Sequence, residues 1–312
     1  MLMIEKYTQD KKDEWDEFVK KAKNYLFMFE RDFIEYHADR FIDYSIIIRE
    51  KNEIIAVLPA NAVGTTLISH GGLTYGGLII GDKIKTSKIN DIFVSFKKNM
   101  VQFGFEKLIY KVIPYIFHVQ PAQEDLYLLY LNDAKLIRRD VSTVIYSNKR
   151  PKLSKGKKWI INKGKKSGLS VSESTSWEAF FELLHRVLAH HNTRPVHSVD
   201  EIVKLHEKFN DNIKLIVVEV NAEIVAGTVI FDFGNVVHTQ YIATSDVGKQ
   251  IGALDFLLEE LIVKAMSEGK LFSFGISTEN NGKFLNNGLI SQKENCGGRA
   301  IVLDHYEVNL NG

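Results

Sequence analysis

The chain has 312 residues, 45% of them hydrophobic, which is enough for two domains that each bury a core of their own. Its 40 Lys and Arg are balanced by 39 Asp and Glu, so no overall field draws it onto nucleic acid or an acidic membrane, and anion binding must come from local patches. The single Cys296 excludes an intrachain disulfide framework and a Cys-rich metal site; no secretory leader pattern opens the chain and no apolar run approaches the ~20 residues that cross a bilayer, so a soluble cytoplasmic protein is expected.

In chain order, Lys11 to Lys23 places Trp15, Phe18, Val19 and Ala22 at helical spacing, and a second helical stretch covers Arg31 to Ala38. Ser45 to Ile48 and Ile54 to Leu58 are β-branched runs around the turn Lys51-Asn52, which predicts a hairpin. The segment Ser69 to Gly77 then carries four glycines in nine residues. Helical period over 88–103 puts Ile89, Ile92, Phe93, Phe96 and Met100 on one face, and Lys107 to Pro114 reads as a strand.

The second half repeats this order. Lys214 to Glu219 and Glu223 to Phe231 flank the turn Asn221-Ala222; a turn at Gly234-Asn235, a strand from His238 to Thr244, a helix from about Gly252 to Met266 and a strand from Lys270 to Ser277 follow. The repeat predicts an α/β protein with mixed sheets and two domains, 1–148 and 149–312. The second is opened by a basic linker, 149–168, whose stretch from Lys149 to Lys166 holds eight Lys and one Arg with no acid. That stretch reads either as a solvated helical linker or as a clamp for a phosphorylated ligand. Amphipathic helices are expected at Trp177 to Leu188 and Val199 to Phe209.

Ala243-Thr-Ser-Asp followed by Val247 to Ala253 and an amphipathic helix brings backbone N–H groups and a helix N-terminus to one point, a geometry that suits a pyrophosphate. Gly248 and Gly252 permit close backbone approach. With the order hairpin, strand, glycine turn, helix, strand, this resembles the GNAT N-acyltransferase fold, in which an Arg/Gln-x-x-Gly-x-Gly/Ala loop cradles acyl-coenzyme A. Lys249-Gln-Ile-Gly252 with Ala253 is an imperfect version, with Lys for Arg or Gln and Leu254 where a small residue is usual. The first repeat lacks such a loop, so one carrier site, in the second half, is expected.

The tandem arrangement also resembles the FemAB-type transferases. Lys157 to Val171 is similar to their basic helix ending in Gly, and Gly288 to Gly298 is similar to their Phe-Lys-x-x-Phe-Gly segment, with Lys293 on the Lys and Gly297 on the Gly. Arg194-Pro-Val-His-Ser, Phe274 to Gly282, Lys293-Glu and Asp304-His-Tyr306 carry a resemblance to tandem-GNAT sugar N-acyltransferases. That resemblance implies acyl transfer from coenzyme A to the amine of a dTDP- or UDP-linked aminodeoxysugar, feeding O-antigen, capsule or S-layer glycan synthesis in bacteria. The alternatives are a FemAB-like aminoacyl-tRNA-dependent peptidoglycan transferase and a non-catalytic binding module.

Acyl transfer to an amine needs a neutral nucleophile, a stabilised oxyanion and a protonated leaving group. A backbone N–H of the strand His238 to Thr244 is the expected oxyanion donor. His238, His197 or a water chain to Glu294 is the candidate base, Tyr241 or Tyr306 the candidate acid, and Lys293 a substrate contact. Gln240, Ile242, Ala243, Gly248, Lys249, Gly252 and Ala253 are the expected carrier contacts. Arg194, His197 and Tyr306, with His70, Gly71, Gly72, Tyr75, Lys111, Tyr115 and His118 of the first half, are the expected acceptor contacts. His190-His191 lacks a metal-ligand spacing, and no metal is expected. The expected partners are a nucleotide sugar and acyl-coenzyme A, with no nucleic acid and no membrane insertion, and a monomer is expected because the fused repeats supply the pairing that single GNAT chains reach by dimerising.

Overall fold

The computed structural model describes residues 2–190 and 193–311, so His191 of the His pair and Asn192 at the start of the polar loop lie outside the described residues. The chain forms two units: residues 1–140, 281–283 and 302–312, and residues 141–280 and 284–301.

In the first unit, β1 (Leu2–Lys6), β2 (Ile46–Glu50), β3 (Glu53–Leu58) and β6 (Ile79–Ile80) form an antiparallel sheet in that order. A second group pairs β4 (Asn61–Val63) with β5 (Thr66–Ile68), β5 in parallel with β7 (Lys107–Lys111), and β7 with residues 305–309 of the last strand, β16 (Arg299–Asn309). The helices are α1 (Lys12–Lys20), the single turn α2 (Arg31–Ile34), α3 (Thr86–Gln102) and α4 (Glu124–Leu131). The predicted apolar face of α3 is buried in full, against Ile46, Ile48, Ala56, Leu58 and Leu108 of the strands.

In the second unit, the antiparallel run β9 (Ser172–Ser174), β10 (Ile213–Val220), β11 (Glu223–Asp232), β12 (Val236–Thr244) continues into β13 (Leu271–Ile276), which is parallel to β12. The end of β8 (Lys135–Ile145), whose residues from Val141 onward belong to this unit, pairs antiparallel with β13. Each unit therefore takes a strand from the far end of the other repeat.

Helix α6 (Trp177–Ala189) packs Phe180 onto the sheet at Gly227, where a Cβ would stand 2.7 Å from the Phe ring. Helix α9 (Ala253–Ser267) buries Phe256, Leu257, Leu261 and Ile262 against Val218, Val225, Val237 and Phe272. Helix α5 (Lys155–Lys166) crosses α9, α7 (Val199–Lys208) opens with a full capping box at Ser198 and Glu201, and α10 (Asn287–Asn295) follows the short hairpin of β14 (Thr278–Glu279) and β15 (Phe284–Leu285). The stretch 246–251, expected as an open turn, is instead a short helix, α8 (Asp246–Ile251), because the hydroxyl of Ser245 caps it by accepting from the N–H of Gly248 at 3.1 Å. Among the described residues no helix is long and apolar enough to cross a membrane.

The repeat is visible in detail. The β2–β3 hairpin turns through Lys51 and Asn52 and the β10–β11 hairpin through Asn221 and Ala222, all four at positive φ, and each hairpin has its register shift at the same place, Ile48/Arg49 and Val218/Glu219.

One buried polar network fixes the interior of the first unit. Tyr110 Oη donates to Asp125 at 2.8 Å and accepts the N–H of Leu78 at 2.7 Å, while the N–H of Leu126 donates to the same carboxylate at 2.8 Å. Burial is the largest influence on Asp125 and pushes its pKa up from 3.8 to about 6. Between about pH 4 and 6 the unfolded chain sheds this proton while the folded chain keeps it. Stability should therefore fall by roughly 2–3 kcal/mol as pH rises through that window. Asp125→Asn should flatten this part of a urea-denaturation profile measured from pH 3.5 to 7.

Candidate active site

Strands β12 and β13 are paired only from Val236 to His238 against Leu271 to Ser273; beyond that point the two parallel strands part. Opposite the parting, β12 carries a bulge, with Thr239 facing Ile230 and Tyr241 facing Val229, so that Gln240 has no partner on β11. A parted pair of parallel strands beside a bulge leaves backbone groups free to meet a ligand.

His238 and Lys293 come together at this opening. His238 Nδ1 lies 3.0 Å from Ser273 Oγ, and Gly275, at φ 71°, leaves the space over the ring that a Cβ would enter at 3.2 Å. The Lys293 ammonium, on the inner side of α10 and 6% exposed, donates to the carbonyls of Gly275 at 3.0 Å and Ile276 at 2.6 Å. Burial lowers its pKa to about 8. Burial first, and the nearby Lys293 charge second, lower His238 to about 4, so the imidazole is neutral at physiological pH. A neutral base and a cation that releases its proton readily thus face one opening.

Tyr241 is engaged otherwise. Its Oη accepts the N–H groups of Val196 at 3.2 Å and His197 at 3.1 Å and lies 2.6 Å from His197 Nδ1. With N–H groups on its lone pairs, the phenol proton is left for the imidazole, and burial raises the Tyr241 pKa. The pair ties the loop before α7 to the bulge. Arg194 of that loop is exposed, and so is Glu294, which points away from Lys293 on the outer side of α10.

The expected carrier residues divide. Gln240 and Ile242 are half-buried on β12 and Ala243 is buried; Lys249 is exposed and pairs with Asp246 at 2.9 Å. The glycines make close approaches to the protein's own backbone. A Cβ on Gly248 would stand 2.2 Å from the Val225 carbonyl, and one on Gly252 2.6 Å from the Ile160 carbonyl of α5. Gly164 of α5 answers from the other side, 3.0 Å from the Gly252 carbonyl by the same measure. Ala253, wholly buried, lies at this crossing. Next to it, α5, α9 and α10 border an open polar groove of about 460 Å³ lined by Ser154, Lys157, Asp255, Ser291, Gln292 and Asn295 among others, with Lys157 ion-paired to Asp255.

In the first unit, the glycine loop folds inward. His70 and Tyr75 are buried, Tyr75 stacked near Phe117 at 5.1 Å, and Gly72 presses on the His37 ring. Lys111 Nζ donates to the carbonyls of His70, Gly71 and Leu73 at 2.8–3.2 Å, and burial lowers its pKa to about 8. Tyr115 is exposed, His118 contacts the Ile113 carbonyl at 3.1 Å, and Tyr306 pairs across from Tyr110.

Residues 153–281, which include α5, the parted strands and α9, match the family described as the acetyltransferase (GNAT) domain. Residues 153–281 are a GNAT acyltransferase domain. The whole chain is similar in fold to FemX (TM-score 0.67, 12% identity, covering 97% of this chain and 96% of that one) and to L-PGS from Bacillus licheniformis (0.64, 14%, 99% and 94%). It is also similar to a tandem GNAT protein from the clavulanic acid biosynthesis pathway (0.50, 8%, 99% of each chain). No curated protein matches the sequence. A GNAT domain implies use of acyl-coenzyme A. In this chain the parted strands fit the acyl end of that co-substrate, whereas the start of α9, where backbone N–H groups would receive the phosphates, is covered by α5.

Ser273, Gly275 and the Tyr241–His197 tie were not among the expected contacts. Gly275 breaks a strand of otherwise apolar pattern, a signal of close approach that the sequence does carry. Gly252→Ala should destabilise the protein by roughly 2–4 kcal/mol in urea unfolding, from a Cβ placed at φ 76° and against the Ile160 carbonyl. A stability close to wild type would show that this glycine serves a ligand and not the helix crossing.

Proposed function

We propose that the protein is an N-acyltransferase that moves an acyl group from a coenzyme A thioester to the amine of a nucleotide-linked aminodeoxysugar. The observation that carries the transfer chemistry is the neutral His238 beside the buried Lys293 ammonium where β12 and β13 part. In this reading the thioester carbonyl lies in the opening, with its oxygen toward a backbone N–H near the bulge and the Lys293 charge. The amine attacks, the C–N bond forms, and His238 takes the proton. The C–S bond then breaks, and the thiolate is protonated from Lys293, whose pKa near 8 makes it an effective donor at neutral pH. Tyr241 acts by holding the loop that carries Arg194, whose exposed guanidinium suits a phosphate of the acceptor. The resemblance to tandem-GNAT sugar N-acyltransferases supports the acceptor class.

One observation favours the FemAB-like reading, with an aminoacyl-tRNA as donor. Helix α5 lies across the start of α9, where a coenzyme A pyrophosphate would otherwise meet open N–H groups.

A thiol-release assay with acetyl- and longer acyl-coenzyme A against amino-sugar nucleotides separates the two, and the sole thiol of the protein, Cys296, is buried and gives little background. Release that depends on the amino sugar is expected. Thermal stabilisation by aminoacyl-tRNA and by no thioester would overturn the sugar reading; a ligand at ~100 times its Kd stabilises by ~2.7 kcal/mol, well within detection.

Lys293→Met should lower kcat by roughly 10²–10³. It should also destabilise the protein by roughly 1–4 kcal/mol, because the carbonyls of Gly275 and Ile276 lose their donor while one buried charge is removed, so the rates are compared at a temperature where both proteins are folded. The wild-type rate should fall as pH rises through about 8, where Lys293 loses its proton, and the variant's residual rate should not.

A further inference from the structure

Helix α5 has two faces of opposite character. Ile160 and Gly164 meet α9, and Lys157 is paired with Asp255. On the other side, Lys155, Lys158, Trp159, Asn162, Lys165 and Lys166 follow one another at spacings of one and three residues, a continuous stripe along a helix about 18 Å long. All six are exposed. None of the four lysines has an acidic partner among the described residues, although the lysine and arginine turned inward, Lys157 and Arg150, are both ion-paired. Trp159 is 64% exposed, with the Lys163 ammonium 5.3 Å from its ring. Holding several like charges along one ridge costs repulsion that nothing in this unit offsets, and leaving an indole in water costs hydrophobic free energy.

We propose that this stripe is a docking surface for an anionic phospholipid bilayer, on which the protein adsorbs peripherally. Lysines are mobile point charges suited to a fluid array of phosphate headgroups. Arginine is the residue that reads fixed phosphates in pairs, and Arg150, the one arginine of the segment, is bound to Glu259 and the Cys296 carbonyl. An indole among lysines sits at the level of the headgroups. The helix does not insert, since its apolar side is committed to α9.

The experiment is flotation of the full chain with vesicles of phosphatidylcholine alone and of phosphatidylcholine with 40% phosphatidylglycerol, at 50 and 300 mM NaCl, with tryptophan emission recorded in parallel. The other two tryptophans, Trp15 and Trp177, are 0% and 3% exposed, so an emission shift reports Trp159. The expected result is binding at least about tenfold stronger to the anionic vesicles, a blue shift, and loss of both at high salt. The variant carrying Lys155→Glu, Lys158→Glu, Lys165→Glu and Lys166→Glu should lose binding with an unchanged melting temperature. Should it fail to fold, Lys158→Gln with Lys165→Gln should weaken binding and Trp159→Ala should abolish the emission shift. Equal binding to both vesicles, or none at 50 mM NaCl, overturns the proposal. Tighter binding to a 20-nucleotide RNA hairpin, with quenching of Trp159, also overturns it and assigns the stripe to nucleic acid.

Discussion

The Lys293 ammonium, set on the carbonyls of Gly275 and Ile276, is the contact on which the catalytic end of the molecule depends. When two parallel strands part, the carbonyls on the inner edges lose the partners a closed sheet would supply, and a buried carbonyl without a donor costs more than a hydrogen bond gains. Lys293 meets both carbonyls from α10, so the opening is stable without a ligand in it. The cost is a charge held in a poorly solvated place, and that cost appears as its lowered pKa. One side chain thus satisfies the carbonyls at the parting and adds its charge to the burial that keeps its neighbour neutral.

The same solution recurs in the first unit in a different place. Lys111 gathers three carbonyls of the glycine loop, and its N–H and carbonyl bind Ser69 and Gly76 of that loop. Here the lysine closes a loop in place of holding strands apart. Glycines at 72, 76 and 77 let the loop pack against His37, the Ser69 carbonyl and Tyr110 at distances no Cβ tolerates, and Gly71 fits tightly against Phe41. Both units are variations on one chain path, with the lysine-on-carbonyl device put to two uses.

The hairpins, the apolar face of α3 and helices α6, α7 and α9 were legible in the sequence, because period and turn chemistry are local and tertiary contacts reinforced them. The crossing of α5 and α9 was not: Gly164 and Gly252 are far apart in sequence, and a glycine before a helix reads equally well as a phosphate turn or as a packing contact. Likewise Ser69 to Gly77 reads from composition as a segment lining the acceptor pocket, and only its partners, Lys111 and Tyr110, turn it inward. Lys293 drew notice through resemblance and not through periodicity. The tie between Tyr241 and His197 joins elements whose proximity follows from how α6 lies on the sheet, which no local pattern encodes.

The reciprocal loan of strands has a consequence for the history and handling of the chain. A break between Tyr146 and Ser154 would not yield two free-standing halves, since the first fragment would carry Val141 to Ile145, which belong to the second unit, and the second would carry His305 to Asn309, which pair in the first. Each fragment would expose a sheet edge that only the other can cover. A chain nicked there should stay together as a complex of its two fragments, the arrangement of a strand-swapped dimer, and the segment from Lys149 to Lys152 joins what would otherwise be its two partners.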